Sequence, residues 1–268
     1  MFRLPRPCAL RQCVRSVGRA VVPSSQKSLG ELFRLLTPWE TGVSLVRIGS
    51  EGDGGYLVPD DFETLGALFS PGVSETWDFE RVVGEQFRIP SYMVDGSVDA
   101  PEELTDLQTF DRLWLGAKTT QTVVSLQDWV ASRAPDPAMD LMLQMDIEGA
   151  EYGALAASPL STLRRFRWAV IEFHGLDWAA VDPVLRFRIL PALRRMAVDF
   201  EVVHVHPNNC CGVLKIGGRM LPKVLEVTYL RRDRLRRTPT LARLPHELDR
   251  DCVPSNPSID LGADWPIA

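Results

Sequence analysis

The sequence predicts an α/β fold: a mostly parallel sheet with helices on both faces. Three observations carry this. Apolar, β-branched runs alternate with helix-period segments, the rhythm of βα units. The run Leu141-Met-Leu-Gln-Met ends in three carboxylates within six residues, Asp146, Glu148 and Glu151, and ligands of open α/β sheets bind at the carboxyl ends of strands. A Pro71-Gly72 turn is followed, roughly 20 residues on, by Asp95 at the end of another apolar run, the spacing of a glycine turn and a ribose-binding acid. Each has a plainer reading. Glu148 and Glu151 also suit a helix N-terminus, and Asp95 is also a turn former.

The chain has 268 residues, 45% hydrophobic and 24% charged, which fits one large domain. A net charge of −5 argues against a protein that coats nucleic acid. No apolar run reaches membrane-spanning length, so no membrane association and a cytoplasmic location are expected. Cys8, Cys13, Cys210, Cys211 and Cys252 lack CxxC spacing and read as reduced thiols, the adjacent pair buried beside a strand.

In chain order, residues 1–30 form a basic tail, acid-free before Glu31. Leu29, Leu32, Phe33 and Leu36 share one helix face, and Pro38 ends the pattern. A strand over Val43–Ile48, the Gly52-Asp-Gly-Gly-Tyr56 turn and Leu57-Val58 read as a hairpin, giving a helix and hairpin cap over 31–60. Ser74 or Thr76 caps a helix carrying Phe79, Val82, Val83 and Phe87. A strand over Ser91–Val94 ends at Asp95, and Asp111–Gly116 reads as a further short strand. Ser125 caps the next helix, with Asp128 three residues on. After the central strand come helices over Tyr152–Ala157 and Leu160–Leu163, then a strand from Phe166 to His174. A helix follows, with Asp182 as cap and Pro183 at its first position. The last strands, Phe200–His206 and Val224–Leu230, lack a helix between them and predict an antiparallel pair at the sheet edge. The domain is set at 31–230, and 231–268, opening on an arginine run, reads as a solvated C-terminal extension.

The stretch Leu143-Gln-Met-Asp-Ile-Glu-Gly-Ala-Glu-Tyr resembles the strand-4 signature of FkbM-like proteins, a group of the class I S-adenosylmethionine-dependent methyltransferases. Asp53-Gly-Gly-Tyr, Ser70-Pro-Gly-Val-Ser-Glu-Thr-Trp-Asp-Phe-Glu, Asp95 and His204-Val-His-Pro-Asn-Asn resemble further motifs in the same order, across roughly residues 43 to 230. The chain departs from many class I members in having one glycine, Gly72, after strand 1. The resemblance implies a Rossmann-like, seven-stranded sheet with an antiparallel edge strand, and S-adenosyl-L-methionine as cofactor. It implies Gly72 and Glu75 near the methionine moiety, Asp95 at the ribose, and Asp146 where cofactor and acceptor meet. The expected reaction is O-methylation of a sugar or other small hydroxylated acceptor, with Asp146 first and His174 second as general base. Glu148, Glu172, His206, Asn208 and Asn209 are candidate acceptor-binding residues. No HxxH spacing appears, and no metal is assigned. Two alternatives stand beside this: a nucleotide-dependent oxidoreductase, and a non-catalytic module that keeps only the cofactor pocket.

Overall fold

The computed structural model describes residues 22–73, 76–262 and 265. Chain order is α1 (Gln26–Leu35), β1 (Trp39–Glu40), β2 (Leu45–Gly49), β3 (Gly55–Pro59), β4 (Ala67–Pro71), α2 (Asp78–Phe87), β5 (Ser91–Val94), β6 (Gln108–Asp111), β7 (Trp114–Gly116), β8 (Val123–Ser125), α3 (Leu126–Arg133), β9 (Leu141–Met145), α4 (Glu151–Ala157), α5 (Leu160–Leu163) and β10 (Phe166–His174). Then come α6 (Asp182–Val184), α7 (Leu190–Met196), β11 (Phe200–Pro207), β12 (Val213–Ile216), β13 (Arg219–Pro222), β14 (Val224–Arg231) and β15 (Thr240–Leu241). No helix among the described residues is long and apolar enough to cross a membrane.

Seven strands form the central sheet in the order β11-β14-β10-β9-β4-β5-β6. All neighbours are parallel except β14, which runs antiparallel to both β10 and β11. This is a Rossmann-like arrangement, with the antiparallel strand one place in from the edge. The β11–β14 pair has that orientation because only the hairpin β12–β13 and its turns connect them, and a parallel pair needs a longer crossover.

Side-chain alternation splits the sheet between two cores. Leu141, Leu143 and Met145 of β9 face one, with α1, α3, α4 and α7, while Met142 faces the other. The second core is covered by hairpin β2–β3 and α2, through Tyr56, Val58, Phe79 and Val83. The cap expected from the glycine-rich turn therefore lies on the sheet.

Several boundaries differ from expectation for local reasons. α1 starts at Gln26 because the Ser25 hydroxyl accepts from Ser28 N–H at 3.1 Å, and Ser24 is already docked on Ala180 O at 3.0 Å. The expected tail of 1–30 thus ends earlier; residues 1–21 lie outside the described residues. Thr76 does not cap α2. Its first-turn position is set by Trp77 without a side-chain cap, and Ser74 lies outside the described residues. The strand expected over Asp111–Gly116 breaks where Leu113 N–H bonds Asp111 O at 2.8 Å, so that β7 leaves the sheet to pair with β8. Asp182 is the first helical residue rather than the cap, and a π-turn, Leu185–Ile189, separates α6 from α7. Pro191 has no N–H to give the preceding turn, a local cause of such a bulge.

The arginine run is not a solvated exit. Arg231 pairs with Asp140 at 2.7 Å and Arg234 with Asp61 at 2.9 Å, the carboxylates that also flank Arg167. Arg167 is 3% exposed and also donates to Glu63 O at 2.6 Å and Thr64 Oγ1 at 3.0 Å. Removing one partner of a buried ion network strands the others, at about 3–5 kcal/mol. Arg167→Ala is therefore expected to lower unfolding free energy by about that much in urea melts, and Arg236→Ala, on the surface, by under about 0.5 kcal/mol.

Candidate active site

The site is built where β4, β9 and β10 end together. Gly72, just past β4, has φ +86°, and a Cβ there would lie 1.5 Å from the Asp146 carbonyl oxygen. Only glycine allows this approach, which Asp146 N–H seals by bonding Pro71 O at 3.1 Å. The chain after β9 turns through two left-handed residues, Glu148 (φ +54°) and Gly149 (φ +100°). The fully buried Glu151 holds that turn. Its Oε1 accepts from Gly149 N–H at 2.9 Å and Ile147 N–H at 3.3 Å, and meets His174 Nδ1 at 3.0 Å.

His174, at the end of β10, then presents Nε2 to Asp146 Oδ1 at 3.7 Å, Glu148 Oε2 at 3.7 Å and Glu172 Oε1 at 3.8 Å. The structure thus brings Asp146, His174, Glu148 and Glu172 together. Burial lowers the His174 pKa, but the hydrogen bond it donates to Glu151 and the charges of Asp146, Glu151 and Glu172 prevail and raise it to about 10. The ring is an imidazolium at neutral pH, which removes it as a base. Because the folded value lies above the ordinary 6.5, the stabilisation from these contacts is complete below that pH and lost as pH rises through about 10. Asp146 is displaced upward to about 7, chiefly by burial, with His174 opposing and Glu148 and Glu151 adding to it. Its Oδ1 is buried without a hydrogen-bond partner. A buried polar atom of this kind calls for a partner, which a bound group or a water supplies.

Behind Glu172 runs a buried polar chain. Tyr56 hydroxyl donates to Glu172 Oε2 at 3.3 Å, Gln144 Nε2 to the Tyr56 oxygen at 3.4 Å, and Asn208 Nδ2 to Glu172 Oε1 at 2.9 Å. Ser70 Oγ bonds both Gln144 Oε1, at 2.5 Å, and Glu80 Oε1. One hydroxyl carries one proton, so Glu80, which burial pushes up to about 7, supplies the other. Burial, then Asp146 and Glu226, also raise Glu172.

Asp95 lies at the tip of the neighbouring strand, where Ser97 N–H and hydroxyl hold its Oδ1 at 2.7 and 2.6 Å. Trp114 stands beside it, half exposed. A Cβ on Gly96 would be 2.4 Å from its ring. Glu75 lies outside the described residues.

Two expected acceptor residues are elsewhere. Asn209 donates to Val253 O at 3.0 Å and Asn256 O at 3.3 Å and accepts from Val253 N–H at 2.8 Å, so its amide clamps the C-terminal segment. His206 faces Asp249, Glu226 and Cys252 instead of the Asp146 cluster. Cys210 and Cys211 form a vicinal disulfide on the surface, not buried thiols, because β11 ends at Pro207 and the chain turns out of the sheet. Tyr56, Gln144 and Glu226 were not picked out from the sequence. A lone acid or amide inside an apolar strand, as in Val224-Leu-Glu-Val, was the available signal.

No family model and no curated protein matches the chain. Among solved structures it is similar to the 16S rRNA (adenine(1408)-N(1))-methyltransferase from Catenulisporales acidiphilia, at 12% identity and a TM-score of 0.33, covering 69% of this chain and 98% of that one. A likeness this slight carries no argument about chemistry or substrate.

Glu151→Gln removes the anionic partner of His174. It is expected to lower the His174 pKa by more than ~1 unit in a ring-proton NMR titration, and to cost about 1–3 kcal/mol of stability.

Proposed function

We propose that the chain is an S-adenosylmethionine-dependent methyltransferase of the FkbM-like kind, acting on the oxygen of a small hydroxylated acceptor, with Asp146 as general base. The observation that carries this is Asp146 itself: a buried carboxyl with an unpartnered oxygen, at the tip of the central strand, titrating at about 7. A base with a pKa near the working pH combines availability with driving force.

The residues fit the cofactor in three respects. Asp95 is held at a strand end where a carboxylate can accept from ribose hydroxyls. Trp114 offers an exposed face nearby for a planar base. Asp146, Glu148 and Glu172 set carboxyl groups where a cation would be stabilised. When bound, S-adenosylmethionine supplies an electrophilic methyl group on a cationic sulfur. Asp146 Oδ1 would take the proton that the acceptor hydroxyl gives up as it receives that methyl group. His174 stays protonated throughout. It orients Asp146 and keeps its pKa from rising further, and Glu151 fixes the ring. Glu148, 81% exposed in its side chain, stands at the rim, where it meets the acceptor.

Asp146→Asn is expected to weaken cofactor binding in calorimetry far less than it reduces turnover, which falls about 100-fold or more. Wild-type kcat rises with pH through about 7. Ionising a buried Asp146 costs stability, a cost absent below pH 3.8 and complete above about 7. Asp146→Asn is accordingly more stable than wild type at pH 8, by ~1–2 kcal/mol, and not at pH 4. Asp95→Ala weakens S-adenosylmethionine binding about 10-fold or more. No S-adenosylmethionine binding alone or with candidate acceptors, or binding of NAD in its place, overturns the reading.

A further inference from the structure

We propose that His206, Glu226 and Cys252 bind a divalent cation of the zinc class, in a site separate from the Asp146 cluster. The proposal is independent of methyl transfer. Glu172, Glu226 and His206 are cross-strand neighbours on β10, β14 and β11, so their side chains stand in a row on one sheet face. The hairpin β2–β3 covers that face. Cys252 arrives from the C-terminal segment, which Asn209 fastens through Val253 and Asn256.

Three features point to a metal. The three residues are 7%, 5% and 6% exposed, and each offers a ligand atom within 4.8 Å of the others. Cys252 Sγ already meets Glu226 Oε1 at 3.0 Å, about the separation of two ligands on one ion. Neither ring nitrogen of the buried His206 has a hydrogen-bond partner at ordinary distance. Asp249 Oδ1 is 3.5 Å from Nδ1, too far for one but placed to orient the ring. Asp249 is itself set by His204 Nε2 at 2.9 Å and by His246 N–H at 2.8 Å. With Nδ1 turned to Asp249, Nε2 is the nitrogen left for the metal.

Thiolate, imidazole and carboxylate form a zinc donor set, whereas Mg²⁺ and Ca²⁺ take oxygen ligands. Three protein ligands leave one tetrahedral position for water or another small donor. Binding converts the Cys252 thiol, now donating to Glu226, into a thiolate, and its proton goes to solvent. The ion bridges the sheet to the segment after it, so it also stabilises the fold by mass action.

The test uses the full chain, stripped with chelator, kept in a phosphine reductant and titrated with Co²⁺. The expected result is one equivalent bound with a near-ultraviolet thiolate-to-cobalt charge-transfer band, displacement by Zn²⁺, and a melting temperature raised by Zn²⁺. Cys252→Ser, nearly isosteric, abolishes the band, and Glu226→Gln keeps it but weakens binding about 10-fold or more. Absence of the band in wild type overturns the proposal. So does a band that survives Cys252→Ser, which places the metal on another cysteine. Binding without charge transfer also overturns it, since it points to the oxygen-rich Asp146, Glu148 and His174 cluster.

Discussion

The site depends on one buried carboxylate. Glu151 lies at the start of α4 with no exposed surface, and its Oε1 gathers two backbone N–H groups of the turn after β9 and the imidazole of His174. A non-glycine residue in the left-handed region costs on the order of 1 kcal/mol, and Glu148 bears that cost. The charge-assisted hydrogen bonds to Glu151 offset it. The same oxygen therefore shapes the loop that carries Asp146 and fixes the ring that faces Asp146. Backbone geometry and site electrostatics are two consequences of a single group.

The second constraint is the covering of a polar sheet face. Glu172, Glu226, His206, Gln144 and Thr228 project from strands that are otherwise apolar, and the hairpin β2–β3 closes over them. Tyr56 reaches down to Glu172, and Thr228 hydroxyl bonds Leu57 O at 2.7 Å. Buried polar groups cost stability unless paired, and here Gln144 and Glu172 are joined in one chain from Glu80 to Asn208, while Glu226 accepts from Cys252. This explains why burial raises Asp146, Glu172 and Glu226. They lie in a dry interior, close to one another, with few cations among them. The segment after β14 completes the enclosure. Asn209 clamps it, Asp249 meets His204, and Trp265 packs edge-on to Phe33 with ring centroids 6.2 Å apart. The cavity of about 380 Å³ between β11 and this segment is separate from the Asp146 cluster and has His206 on its wall.

Much of this was legible in the sequence because it rests on local rules. The strands Ser91–Val94, Leu141–Met145 and Phe166–His174 lie where apolar runs bounded by turn residues put them, and the Ser125 cap where a serine three residues before an acid put it. The strand-end carboxylates and His174 were visible for the same reason: βα units deliver strand termini to one edge. The boundaries that moved, at α1, β7 and α6, did so through single backbone hydrogen bonds or caps that residue patterns express weakly.

The sequence by itself determined the alternating α/β order, the parallel sheet with its antiparallel pair, and the acidic tip of the central strand. Only the tertiary structure decided which charges those residues carry. His174 reads as a neutral base in isolation. The hydrogen bond to Glu151 and the charges around the ring raise its pKa to about 10, while burial raises Asp146 to about 7. Likewise Asn209 and the arginines after β14 have partners distant in the chain, and His206 meets Glu226 only through strand register. Protonation and pairing depend on distances of a few ångströms between residues far apart in sequence, and no local pattern encodes those.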